Sequence, residues 1–362
     1  MEKNIDLIAN FGKLVVFLMV LFSVFLFTVK SNKRLANQLF ALFILLTAFD
    51  FTGFFLGKAL DDYPTIQILK TSSSLLQMPL FYLYVLATCY SDFKLSPKHL
   101  IHAVLFFLFV IIFSVTYISD KSLSLFTIIG EIQYYVYIIF IFFSLKKYKT
   151  VYLENYSNND NSTYKWLFQI TLFFFFAHLF VLIKLALLYS GKDQNLLQNM
   201  YIVISTVALF TICWFVLKAL YNPHLFTGVT TTLEPIESAL EKTKIKSERK
   251  EISDESAVRL ISYMENNKPY LDFDLTLQKL AAQMDLPEKE LSILINQKIG
   301  KHFFDFINEY RIEDAKILLK DQPELTVLEI LYEVGFNSKS SFYTAFKKET
   351  GITPSNYRKS AF

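Results

Sequence analysis

The chain has 362 residues, of which 53% are hydrophobic and 19% charged, with 38 Phe, a formal net charge of +3 and a mean hydropathy of +0.35. This length accommodates two domains, and the charge is too small to name a partner by itself. The two cysteines, Cys89 and Cys213, each sit inside an apolar run, which excludes a disulfide framework and a cysteine-rich metal site.

Nearly all long apolar runs precede Tyr221. A bilayer core about 30 Å thick needs roughly 20 apolar residues in a helix, and runs of that order begin near Leu7, Ala36, Ile66, His99, Phe126, Trp166 and Met200. They predict a seven-span helical membrane domain over residues 1–220. The first run is too long for a signal-peptide core and lacks a small-residue cleavage pattern, so it is expected to stay attached. Positive charge alternates between the joints. Lys30, Lys33 and Arg34 follow the first run, Lys94 and Lys98 the third, and Lys146, Lys147, Lys149 and Lys165 the fifth, whereas the other joints carry Asp61, Asp62, Asp120 and Asp193 with only Lys58, Lys121 and Lys192. By the positive-inside rule the N-terminus is outside and the chain beyond Leu220 is cytoplasmic.

Ionisable groups within spans are costly and need a reason. Lys13, Asp50, Lys70, Glu131 and Lys184 all fall one to two turns from the outer ends of their helices. Two readings stand side by side: lysines snorkelling to the interface, or an outward-facing sensor pocket in which Asp50 or Glu131 pairs with Lys70 or Lys184 around an unidentified ligand. His99 and His102 are spaced i, i+3 and His178 lies mid-span, too few for a metal site. No catalytic motif of the HExxH, GxSxG or P-loop kind occurs, so neither a catalytic residue, a metal nor a cofactor is expected.

Residues 221–252 open on Asn-Pro and turn mixed in charge without an apolar period, which reads as a linker. Some thirty flexible residues span on the order of 30 Å and would hold the C-terminal part of the chain near the membrane surface. From residue 253 to 362 helical spacing returns, with Pro and Gly at the joints and no strand-like alternation. The fold class expected is therefore all-α throughout.

This last part repeats. "LTLQKLAAQMDL" (Leu275–Leu286) matches "LTVLEILYEVGF" (Leu325–Phe336), and beyond it Leu291, Ile295 and Gly300 pair with Phe342, Phe346 and Gly351. Each copy predicts a helix, a tight turn at Asp285 or Gly335 and a second helix, with Thr276 and Thr326 capping the first helices and Ser338 the last. This is a helix-turn-helix, whose second helix is offered to a major groove. "HFFDFINEYRIEDAKILLKD" (His302–Asp321) between the copies predicts a helix about 30 Å long. That is close to the roughly 34 Å between successive grooves on one side of the duplex.

Together "RIEDAKILL", "EILYEVGFNSKSSFYTAFKKETGITPSNYR" and the double-repeat spacing resemble the DNA-binding domain of AraC-type bacterial transcription regulators. The seven-run front end resembles membrane-embedded members of that family. The resemblance implies base-facing Lys289, Ser292 and Ile293 in the first recognition helix and Lys339, Ser340, Tyr343 and Thr344 in the second. It places Lys298, Lys347, Lys348 and Arg358 at phosphates and makes Gly335, Phe336, Ala315, Gly351 and Pro354 architectural, with Arg311 a structural ion-pairing residue. Pro287 replaces the usual serine cap and Ile293 a long polar reader, which implies apolar contact with thymine methyls or little discrimination by the first copy. Acids slightly outnumber bases from Lys250 onward, but Lys339, Lys347, Lys348, Arg358 and Lys359 face only Glu349 near the end. The expected partners are double-stranded DNA, the lipid bilayer, an unidentified ligand or signal and the transcription machinery, with a homodimer left open. The rival readings are a transporter or channel carrying a regulatory helical domain, and a membrane enzyme.

Overall fold

The computed structural model describes residues 2–29, 33–90, 93–157, 162–190, 194–221 and 254–360. The expected linker over 221–252 lies outside them apart from Tyr221. Among the described residues the regular structure is helical, with no strand and one isolated antiparallel bridge between Tyr156 and Thr276. The chain forms two compact units. The first holds Met1–Lys146 and Ser162–Thr231, and the second Lys147–Asn161 and Thr232–Phe362. The second unit thus takes in a stretch from the middle of the chain that the sequence assigns to the membrane domain.

The first unit contains α1 (Glu2–Thr28), α2 (Arg34–Phe51), α3 (Gly53–Leu60), α4 (Pro64–Ser73), α5 (Gln77–Cys89), α6 (Val104–Thr116), most of α7 (Asp120–Asn155), α8 (Ser162–Ser190) and α9 (Gln194–Tyr221). Among the described residues five stretches are long and apolar enough to cross a membrane: Asp6–Thr28, Arg34–Gly57, Pro97–Thr116, Asp120–Asn155 and Thr163–Ser190. The other two expected spans take different forms. The run from Ile66 divides into α4 and α5 around a tight turn at Ser74–Leu76. At this turn Ser73 Oγ donates to the Lys70 carbonyl and Ser74 Oγ to that of Thr71, both at 2.8 Å, bonds of a kind that compete with the helical ladder. The run from Met200 yields a shorter apolar stretch, Asn199–Phe215, inside α9.

Aromatic rings fill the unit's interior. Tyr84 stacks on Phe40 at 4.5 Å, Phe174 meets Phe81 edge-on at 5.0 Å, and Trp166 Nε1 reaches the Tyr84 hydroxyl at 3.4 Å. Large apolar side chains also face outward, including Phe17, Ile111, Phe143 and Phe210, which are 62–70% exposed.

In the second unit α10 (Asp254–Asn267) leads to the first helix pair, α11 (Leu277–Gln283) and α12 (Glu288–Ile293, continued by a wide turn over Leu294–Ile299). The long α13 (Phe303–Asp321) follows, then the second pair, α14 (Val327–Glu333) and α15 (Lys339–Thr350), and α16 (Pro354–Ser360). Each pair has its own core. Phe303, Phe306 and Ile307 of α13 enter the first with Leu280 and Leu291, while Ile312, Ala315 and Leu319 enter the second with Ile330 and Phe342. One helix of 19 residues, about 28 Å long, therefore spaces the two pairs as a rigid strut.

Candidate functional site

Local chemistry shapes both turns. Asp285 and Gly335 occupy the left-handed region at φ 54° and 86°. The Thr276 hydroxyl accepts from the Lys279 amide at 3.1 Å, Thr326 and Glu329 form a reciprocal capping box, and the Ser338 hydroxyl accepts from the Ser341 amide at 3.2 Å. Pro287 stands at the start of α12 with no side-chain cap, as its lack of an acceptor requires. Gly335 has a second duty. A Cβ there would lie 2.5 Å from the Tyr270 carbonyl oxygen and 2.8 Å from that of Leu271, so the second copy's turn packs directly on backbone leading into the first copy.

The residues expected at DNA divide by exposure. Lys289 and Lys298 of the first copy are exposed, and Ile293 is half-buried. Ser292 is buried at 9%, which takes its side chain off the exposed face of α12, because it lies one residue beyond the core residue Leu291. In the second copy Lys339, Ser340 and Thr344 are exposed, and Tyr343 is half-buried against the core with Lys339 Nζ 5.4 Å from its ring centroid. Lys347 is exposed at the end of α15. Lys348 pairs with Asp305 of α13 at 2.6 Å, so a phosphate must compete with that carboxylate. Arg358 is half-buried, and its Nε and Nη2 have no hydrogen-bond partner among the described residues.

Arg311 is structural, but its partners are neutral oxygens rather than the expected acid. It is 1% exposed and donates to the carbonyls of Tyr270 (2.6 Å), Asp272 (2.7 Å) and Ser157 (3.1 Å), to the Ser157 hydroxyl (3.2 Å) and to Asn308 Oδ1 (3.3 Å). Burial pulls its pKa down to about 10, with Asp272 opposing, which leaves it charged at neutral pH. Nothing local in the sequence flags Ser157, which is 154 positions from Arg311.

Within the first unit a cavity of about 470 Å³ brings together Asp50, Glu131, His178 and Lys184, with Gln133 and Tyr134 between apolar walls. Asp50 pairs with Lys70, at 3.6 Å, although Lys70 does not line the cavity. Glu131 pairs with His178 at 2.8 Å instead of with a lysine, and Tyr134 stacks on that imidazole at 3.7 Å. Lys184 Nζ lies 5.8 Å from the Tyr201 ring centroid. Elsewhere His99 accepts from the Ser96 amide at 3.0 Å, and His102 bonds the Tyr137 hydroxyl at 2.6 Å. No group of three or more His, Cys, Asp or Glu that could hold a metal occurs among the described residues.

A family profile described as a helix-turn-helix domain matches residues 280–360. With the paired turns, this makes the C-terminal domain an AraC-type helix-turn-helix domain. Its relatives are regulators of transcription. The uncharacterized HTH-type transcriptional regulator YdeC of Bacillus subtilis is 33% identical over 85 residues, 24% of this chain and 29% of that one. The HTH-type transcriptional regulator MtrA of Neisseria gonorrhoeae is 31% identical over 83 residues, 23% of this chain and 27% of that one. Among solved structures, the C-terminal domain of the two-component response regulator yesN from Fusobacterium nucleatum is 35% identical. The match covers 29% of this chain and 99% of that one, at a TM-score of 0.27. The chain spans less than a third of the length of these curated relatives.

Proposed function

We propose that the protein is a membrane-bound, sequence-specific regulator of transcription that couples a signal at or outside a bacterial inner membrane to gene expression. The observation that carries this reading is the joining, in one chain, of a double helix-turn-helix domain to five stretches, among the described residues, long and apolar enough to span a bilayer. The outward-facing Phe17, Ile111, Phe143 and Phe210 support a lipid environment, since large apolar surface facing water is unfavourable. The second unit's inclusion of Lys147–Asn161 supports the orientation, because that lysine-bearing joint and the DNA reader then share one side.

On this reading Lys339, Ser340, Tyr343 and Thr344 face bases from α15, and Lys289 and Ile293 from α12. Lys298, Lys347, Lys348 and Arg358 serve phosphates. The cavity around Asp50, Glu131, His178 and Lys184, with Lys70 behind Asp50, receives the signal molecule. Its polar groups between apolar walls suit a small amphiphilic ligand.

Two experiments test the proposal. A reporter active only in the cytoplasm should work when fused after Lys149 or Lys250 and fail after Asp62 or Lys192. Chromatin immunoprecipitation of the intact protein should enrich discrete sites. A silent reporter at Lys250, or no enrichment anywhere, refutes the reading.

A further inference from the structure

The sequence marks the stretch after the fifth apolar run as a lysine-bearing joint of the membrane domain, yet Lys147–Asn161 belong to the second unit. Helix α7 has 36 residues, about 54 Å, against the roughly 30 Å a bilayer core requires. Its last turns carry Tyr148, Val151, Tyr152 and Asn155, an i, i+3, i+4, i+7 stripe whose members are all buried. Tyr152 stacks on Tyr156 at 4.8 Å.

The chain then lays Tyr156 and Ser157 against the edge of the first helix pair. Tyr156 forms the antiparallel bridge with Thr276, the cap of α11. The Ser157 amide and hydroxyl both donate to the Leu275 carbonyl, at 3.3 and 2.7 Å, and its own carbonyl accepts from Arg311 and from Asn308 Nδ2, at 3.1 and 3.3 Å. Ser157 is 1% exposed, so these are bonds in a water-poor setting, where losing a partner is costly. Tyr156 also lies in the field of Glu288, which with the larger effect of burial raises its hydroxyl pKa. Glu288 is the first residue of α12, at the end of a recognition helix that approaches base edges.

We infer that residues 147–157 are a docked latch whose receptor is the surface made by Leu275, Thr276, Asn308 and Arg311, and that docking holds the first helix pair off DNA. The latch is covalently continuous with α7, so rearrangement of that helix is a direct route to release. Glu131, which lines the cavity, lies on the same helix. The inference rests on the DNA-reading function proposed above and adds the element that controls it.

The test is a reversible lock. Residues facing each other across an antiparallel bridge have Cα atoms about 4.5–5.5 Å apart, within the range a disulfide spans. The full-length double variant Tyr156→Cys, Thr276→Cys, purified in nanodiscs, is oxidised with copper phenanthroline or reduced with dithiothreitol. Each form is then titrated with a random-sequence duplex at low salt, with identically treated wild-type protein controlling for Cys89 and Cys213. The crosslink should form, and the oxidised protein should bind about 5- to 150-fold more weakly than the reduced, the usual span of a coupling between sites. Equal affinities, tighter binding by the oxidised form, or failure of the folded protein to crosslink would overturn the latch. If the pair of cysteines prevents folding, Ser157→Ala carries the test by removing the hydroxyl bonds. Tighter binding than wild type supports the latch, and unchanged or weaker binding overturns it. A reduced protein that binds no duplex at any salt refutes DNA reading itself, and the latch with it.

Discussion

Replacing Gly335 by alanine tests whether one turn serves both as the joint of the second helix pair and as the seam with the first. At φ 86° an L-residue costs about 1–2 kcal/mol on conformation alone. The new Cβ would also lie 2.5 Å from the Tyr270 carbonyl oxygen, a collision with backbone that no rotamer change relieves. Moving that carbonyl strains its 2.6 Å bond from the buried Arg311 guanidinium, and hydrogen bonds to charged groups are worth about 1.5–3 kcal/mol. The combined cost is about 2.5–5 kcal/mol. Gly300 supplies the control: its φ is 78°, and an added Cβ meets nothing within 4 Å, so Gly300→Ala carries only the conformational cost of about 1–2 kcal/mol. Hydrogen exchange on the intact solubilised protein reads both variants. Protection across 254–360 should fall about 10- to 150-fold further in Gly335→Ala than in Gly300→Ala, at tenfold per 1.4 kcal/mol. Equal losses would refute the seam and leave Gly335 an ordinary left-handed turn.

Lys347→Ala should weaken binding to all duplexes and lower the salt slope by about one unit, whereas Thr344→Ala should change sequence preference at about 1–3 kcal/mol per lost base contact. Binding titrations over a salt series on cognate and shuffled duplexes separate them, and identical profiles would sink the assignment. The Glu329 carboxylate is held below its usual pKa by hydrogen bonds from the Thr326 amide and hydroxyl. Its stabilisation is therefore full above the unfolded-state pKa and is lost as pH falls through the lower folded value. Thermal stability should show that acid-side loss in wild type and lack it in Glu329→Gln; parallel pH curves would count against the capping box. Asp50→Asn and Glu131→Gln should leave abundance unchanged while fixing target transcription near one level, because a ligand shifts an equilibrium only through unequal affinity for its two states. Normal regulation at normal abundance in these variants, and in Lys70→Met and Lys184→Met, would rule out the cavity as the sensor.

The sequence by itself determined the features whose causes lie within a few residues. The threonine caps, the left-handed turns at Asp285 and Gly335 and the two-copy spacing depend on local sterics and periodicity and have their counterparts in the structure, as do five of the seven apolar runs of membrane length. The run from Ile66 shows where even local pattern falls short, since apolar length says nothing about a turn at which serine hydroxyls bond back to carbonyls of the ladder. What the fold alone decided involves partners far apart in sequence. His178 rather than a lysine meets Glu131 across 47 positions, and Ser157 reaches Arg311 across 154. Arg311 reads from sequence as an ion-pairing residue because a buried guanidinium needs compensation. It takes that compensation from backbone carbonyls, which are the same in every residue type and leave no mark in the sequence until the chain has folded around them.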